Sequence, residues 1–161
     1  MSKLLIIYHS RTGGAEAMAR AAFEAASEEC DAQLLGAGDA QPADLLAAQG
    51  VIFCCPENLA AITGEMKEFF DRSYYPLLGR IEGRAYSLMV CAGSDGENAV
   101  RQMSRIATGL RLRQVQEPII VNTNAQTPEA ILAPKSLSKD QLAPCRDLGA
   151  AFGAGLAMGV F

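Results

Sequence analysis

The chain has no tryptophan, a single histidine at position 9, and only 6% aromatic residues, although half of its residues are hydrophobic. Its core must therefore be built from alanine, leucine, isoleucine, valine and methionine. No stretch approaches the roughly 20 apolar residues of a membrane span, and the apolar run after Met1-Ser2-Lys3 is too short for a signal-peptide core. Cysteines number five, with no Cys-x-x-Cys spacing, which indicates neither a disulfide framework nor a zinc site. Reduced thiols and a cytoplasmic location are the expectation. A net charge of −4 argues against a nucleic-acid partner, because binding DNA or RNA relies on neutralising phosphates with Lys and Arg. Linkers, repeats and low-complexity tracts are missing too, so residues 1–161 read as one domain, which at this length buries roughly 68–70% of its unfolded surface.

What is present alternates regularly. Leu4 to Tyr8 is a continuous apolar run, as in a parallel strand buried on both faces, and Met18, Ala21, Ala22 and Ala25 then recur at helical spacing. Asp31 to Leu35 reads as a second strand and Pro42 to Ala48 as a short helix stopped by Gly50. Val51 to Cys55 is a third strand, ended by Pro56, and Ile62 to Arg72 a helix with Thr63 near its start. Ala85 to Cys91 gives a fourth strand, followed by a helix carrying Val100, Met103, Ile106 and Leu110. The fifth strand is Pro118 to Val121. After it, the polar, proline-containing stretch from Asn122 to Leu137 is too long for a simple connection and is a candidate lid. A last helix falls within Ser138 to Phe161; Ser138 and Gln141 have capping-box spacing, yet Pro144 argues for a later start.

Five apolar strands alternating with helices specify an α/β fold, an open parallel sheet with helices on both faces. Ligands of such sheets sit outside the carboxyl ends of the strands. Three loops meet there: Ser10 to Gly14, Pro56 to Ile62 and Ala92 to Gly96. The first pairs two hydroxyls and two glycines with the free N–H groups of a helix start, a combination that favours a phosphate. Turn formation alone would also explain such residues; the flanking strand and helix favour the anion site.

Tyr8-His9-Ser10-Arg11-Thr12-Gly13-Gly14 resembles the phosphate loop of the flavodoxin-like superfamily, where Ser-x-Thr-Gly-Asn-Thr binds the phosphate of FMN. Pro56 to Arg72 is similar to the second flavin loop and helix of FMN-dependent NAD(P)H:quinone oxidoreductases, the tryptophan-repressor-binding-protein-like group, and keeps the spacing of its proline, Gly-x-Met-Lys and Phe-x-Asp-Arg positions. With the third loop the resemblance covers residues 3 to 121. It implies a flavodoxin-like five-stranded parallel sheet of order 2-1-3-4-5, FMN as cofactor, NAD(P)H as co-substrate and a quinone or similar small molecule as acceptor, in a homodimer or homotetramer. Under it, Ser10 and Thr12 donate hydroxyls to the phosphate while the amides of Arg11, Thr12, Gly13, Gly14 and Ala15 surround it. Pro56, Glu57, Asn58, Leu59, Ala60, Ala61 and Ile62 run along one edge of the flavin ring, and Ala92, Gly93, Ser94, Asp95 and Gly96 close its other end.

The chain departs from these patterns in two places. Gly14-Ala15 replaces Asn-Thr in the first loop, and Leu59-Ala60-Ala61 replaces an aromatic followed by Gly-Asn in the second. Backbone donors must then do more of the holding.

No catalytic side chain is assigned, since hydride transfer through a flavin needs positioning rather than a general base. His9 reads as a structural or loop contact. Cys55 and Cys91 read as small buried hydrophobes. Arg101 and Arg105 read as a solvated helix face, with attraction of the extra phosphate of NADPH as the lesser alternative. Tyr74-Tyr75-Pro76 is a flavin shield, an interface contact, or equally a core or loop anchor. Gly149, Gly153, Gly155 and Gly159 permit close packing, between subunits or onto the sheet. The rival functions are an electron-carrier flavodoxin served by partner proteins, disfavoured by the weak acidity and few aromatics, and a flavin-free binding module. A phosphorelay receiver is disfavoured because its acidic cluster is replaced by His9-Ser10 and Cys55-Pro56.

Overall fold

The computed structural model describes all 161 residues. In chain order they form β1 (Lys3–Tyr8), α1 (Gly14–Ser27), β2 (Asp31–Gly36), α2 (Pro42–Ala47), β3 (Gly50–Asn58), β4 (Ala61–Ile62), α3 (Gly64–Leu77), β5 (Ala85–Ala92), α4 (Glu97–Gly109), β6 (Arg113–Gln114), β7 (Ile119–Asn122), α5 (Pro128–Leu132) and α6 (Lys139–Ala157). The sheet runs β2-β1-β3-β5, and both β6 and β7 pair in parallel with β5 at its far edge. The expected order 2-1-3-4-5 holds once the short antiparallel β4 is set aside. No helix is long and apolar enough to cross a membrane.

Successive residues of a strand face opposite sides, so the apolar runs supply two cores at once. Leu4 and Ile6 of β1, with Ile52, Cys54 and Met89, pack beneath α1 and α6. Leu5 and Ile7, with Val51, Phe53 and Cys55, pack beneath α2, α3 and α4. Phe53, Phe69 and Phe70 cluster on that second side, with the Phe53 and Phe70 rings 4.9 Å apart.

Several boundaries differ from the sequence expectation, each for a local reason. Pro56 does not end β3: β1 pairs with β3 only as far as Tyr8 opposite Cys54, so beyond that point β3 has one parallel neighbour and an imide nitrogen is tolerated. Gly50 opens β3 rather than stopping α2, because a side chain there would meet Phe152, with Cε1 2.5 Å from the Cβ position. The expected fifth strand, Pro118 to Val121, is β7, and Arg113 and Gln114 add the unexpected β6 to the same edge, with Pro118, which has no amide to donate, lying between the two. Helix α3 runs past Arg72 through Tyr74-Tyr75-Pro76 to Leu77. Helix α6 does start at Lys139, with the reciprocal Ser138–Gln141 capping box, and contains Pro144; the bond Pro144 cannot make is to Asp140, an exposed residue of the first turn.

Of the C-terminal glycines, Gly149 and Gly153 pack onto helix α1, which neither expectation included, while Gly155 faces the Phe161 ring and Gly159 lies in open space. A Cβ on Gly149 would collide with the Ala22 carbonyl of α1, and one on Gly153 would sit 3.1 Å from the Ala26 carbonyl. Gly109, by contrast, closes α4 in open space. Gly149→Ala is therefore expected to destabilise the fold by about 1–3 kcal/mol through overpacking, whereas Gly109→Ala should stabilise it by up to about 1 kcal/mol; urea unfolding of the two variants checks the pair.

Candidate functional site

Helix α1 starts at a corner prepared for an anion. Its N-cap, Gly13, has φ of +101°, a left-handed conformation that side chains other than glycine strain to adopt. The Gly13 amide donates to Ser10 Oγ at 3.1 Å, which folds the loop tightly. The amides of Arg11, Thr12, Gly14, Ala15 and Glu16 donate to no protein acceptor. Glu16 does not compete for them electrostatically at close range, being paired with Arg20 at 2.7 Å. Gly14 lets α1 approach β5: a Cβ there would lie 2.5 Å from Cys91 Sγ.

The second loop is a hairpin. Glu57 pairs with Ile62 and Asn58 with Ala61, leaving Leu59 and Ala60 as a two-residue connection with φ of 52° and 58°. Positive φ at both central residues is the type I′ arrangement, which normally selects Asn-Gly. Here it is imposed on Leu and Ala by ties to α4: Asn98 Nδ2 donates to the Ala60 carbonyl, and the Ile62 amide donates to Gln102 Oε1 at 2.9 Å. Glu57 reaches the third loop, where its Oε2 accepts the amide of Gly96, the left-handed N-cap of α4, at 2.8 Å.

The stretch from Asn122 to Leu137 lies across these loops. The Thr123 amide donates to the Ala92 carbonyl at 2.8 Å, and the Ala125 carbonyl sits over Gly93, 2.8 Å from where a Cβ would be. Helix α5 is capped by Thr127 Oγ1, which accepts from the Ala130 amide at 3.2 Å. Beyond it, the Lys135 amide donates to the Thr12 carbonyl at 2.7 Å, closing the strap onto the first loop.

A cavity of about 270 Å³ remains between strap and loops. Of the residues expected at the site, Ser10, Arg11, Thr12, Gly14, Ala15, Pro56, Glu57, Asn58, Ala92 and Gly93 line it. Gly13, Leu59 to Ile62 and Ser94 to Gly96 stand outside its wall and shape the loops that form it. Cys91, Thr123, Ala125, Ile131, Leu132 and Lys135 complete the lining. The length and polarity of residues 122–137 are a signal that this stretch matters, but nothing local singles out Lys135. A second, more open groove of about 450 Å³, bordered by Lys67 and Arg105, shares none of this lining.

Titratable groups near the cavity are few and poorly suited to proton transfer. Burial pushes the Cys91 thiol up, with Lys135 opposing the shift, and burial pushes Cys55 up to about 12 on the opposite side of the sheet. His9 places Nδ1 2.9 Å from Thr63 Oγ1 and Nε2 3.7 Å from Glu65, tying the first loop to the start of α3. Burial holds the His9 pKa below its ordinary value, with Glu65 opposing and Arg11 reinforcing.

In overall shape the chain is flavodoxin-like. It superposes on a flavodoxin from the domain Archaea with a TM-score of 0.77 at 16% identity, covering 96% of this chain and 98% of that one. A WrbA-like flavodoxin from Agrobacterium tumefaciens gives 0.64 at 19% identity, covering 99% and 97%. The sequence model of the NADPH-dependent FMN reductase family matches residues 40–127, and the chain belongs to that family. It is 35% identical over 107 residues to a flavodoxin from Aquifex aeolicus, covering 65% of this chain and 58% of that protein. To an NAD(P)H dehydrogenase (quinone) from Acidithiobacillus ferrooxidans it is 32% identical over 118 residues, covering 59% of each. The chain thus spans less than two thirds of either relative.

The family's flavin is FMN, with NAD(P)H as co-substrate. The residues present fit the FMN phosphate: five amides without protein acceptors, two hydroxyls, and a glycine whose Cβ would crowd the corner.

Two outcomes are expected from this geometry. Leu59→Asn combined with Ala60→Gly should relieve the strained turn and stabilise the protein by about 1–3 kcal/mol, measurable by thermal unfolding. For His9, the folded pKa lies below the unfolded one, so the unfolded chain binds more protons as pH falls past 6.5. Stability is therefore fully present above that pH and is lost as pH drops toward the folded value. His9→Asn should flatten that part of a stability-versus-pH curve.

Proposed function

We propose that the chain binds FMN and serves as an oxidoreductase that takes hydride from NADH or NADPH and delivers it to a quinone or similar small acceptor. The observation that carries this reading is the array of acceptor-free amides at the start of α1, opening into a cavity whose other walls are the second and third loops of an FMN reductase family member. The relative from Acidithiobacillus ferrooxidans, an NAD(P)H dehydrogenase (quinone), supports the acceptor class.

Within this reading Ser10 and Thr12 donate hydroxyls, and the amides of Arg11, Thr12, Gly14, Ala15 and Glu16 donate to the phosphate oxygens, with the dipole of α1 favouring the negative charge. Pro56 to Asn58 and Ala92 to Gly93 hold the ring by backbone contact, and the hairpin of Leu59 to Ile62 and the turn of Ser94 to Gly96 fix those two walls. Ile131 and Leu132 put apolar surface at the mouth and exclude water. Bound FMN supplies the two-electron chemistry; the protein supplies position, dryness and fixed dipoles. Leu59 and Leu132, 95% and 76% exposed, leave apolar surface that a nicotinamide, an acceptor or a second copy in a homodimer or tetramer would cover.

The flavodoxin of Aquifex aeolicus favours a second reading, a carrier that exchanges electrons only with protein partners. Direct reduction separates them. Purified protein loaded with FMN should lose its visible flavin absorbance on addition of NADH or NADPH alone and regain it on addition of a quinone. Reduction that proceeds only with a separate reductase would overturn the enzyme reading, and failure to take up FMN would overturn both.

A further inference from the structure

We propose that Lys135 recognises the phosphate of the bound flavin and makes the site select FMN over riboflavin; this deepens the flavin reading and rests on it. Lys135 comes from the strap after β7, 123 positions away from Thr12, yet it lies directly against the loop. Its Cβ and Cγ pass 3.5 and 3.6 Å from the Cβ position of Gly14, its backbone amide donates to the Thr12 carbonyl, and its Nζ stands 3.3 Å from Thr12 Oγ1. The ammonium is therefore delivered to the same corner as the acceptor-free amides.

Its present partners leave its charge unbalanced. Besides Thr12, Nζ donates to the carbonyls of Ile131 at 2.8 Å and Ala133 at 2.7 Å, all neutral acceptors, and it forms no salt bridge. The only carboxylate in the cavity wall, Glu57, is engaged by the Gly96 amide in the third loop. Arg11 is exposed and also lacks a carboxylate partner, so the lining carries two cations against one anion. That net positive charge suits an anionic group such as a phosphate. The longest of the three Nζ contacts, that to Thr12, is the one a phosphate oxygen would take over, which frees the threonine hydroxyl to donate to the same group. The amides alone hold an anion by dipoles; the ammonium adds a full charge that riboflavin cannot use.

The test compares the two flavins on the whole chain by fluorescence titration, with Lys135→Met and Lys135→Gln. A charge-assisted hydrogen bond predicts that each substitution weakens FMN about tenfold to a hundredfold and changes riboflavin by less than about twofold, with Lys135→Arg recovering most of the FMN affinity. Added salt should likewise weaken FMN in the wild type more than in the variants. Unchanged FMN affinity, or equal loss of FMN and riboflavin because the strap has merely loosened, would overturn the assignment while leaving the flavin reading intact. If the wild type takes up neither flavin, the flavin reading fails and this assignment falls with it.

Discussion

The first turn of α1 begins with amides that nothing in the protein accepts, and most of the surrounding structure is arranged around that fact. A helix start always leaves such groups, and sealing one away from any acceptor costs about 1–3 kcal/mol. Here they open instead into a cavity, where water or an anion can serve. Holding them in one place needs a left-handed N-cap, met by Gly13, and a close approach of α1 to β5, met by the missing side chain of Gly14 against Cys91. Further along, α1 is pinned by Gly149 of α6, which packs against the Ala22 carbonyl, and more loosely by Gly153 near Ala26, so bare backbone fixes the helix at more than one point.

The loops opposite are laced to one another rather than left free. Glu57 bonds Gly96, Asn98 bonds Ala60, Gln102 bonds Ile62, Asn122 bonds the Ser94 carbonyl and Thr123 bonds the Ala92 carbonyl. This lacing explains how Leu59 and Ala60 tolerate a turn geometry suited to Asn-Gly: α4 holds the hairpin by its backbone, so local preference is overridden by tertiary contact. A site built this way is largely formed before any ligand enters, which lowers the ordering cost of binding.

Much of this was legible in the sequence because strands buried on both faces are continuous apolar runs, and the intervening helices show their period through Met18, Phe69 and Met103. The reading failed where a residue's effect depends on its neighbours. Pro56 reads as a strand end until β1 is known to stop short of it, and Gly50 reads as a helix stop until Phe152 is found packed over it. Elements of two residues, such as β4 and β6, are too short to carry any period. Among the expected site residues, those lining the cavity and those only shaping it are equally close in sequence; the difference between Asn58 and Leu59 is made by the turn that separates them. Lys135 lay beyond reach altogether, because its place beside Thr12 is created by the path of the strap.

The family match and the acceptor-free amides of α1 are independent observations, since the matched segment begins at residue 40 and so takes in the second and third loops but not Ser10 to Ala15. That division bears on how a flavin would be held. The ring end has lost side-chain interactions: Leu59, Ala60 and Ala61 offer neither an aromatic stack, which contributes about 0.5–1.5 kcal/mol, nor a side-chain amide. Under the role proposed for Lys135, the tail end adds a charge-assisted bond of about 1.5–3 kcal/mol. On that proposal the bond to the phosphate is at least as large as the missing aromatic stack, so the grip on a flavin would shift from its ring to its phosphate. A flavin held chiefly by its tail, with few side chains pressed against its ring, keeps that ring open to a nicotinamide and an acceptor in turn.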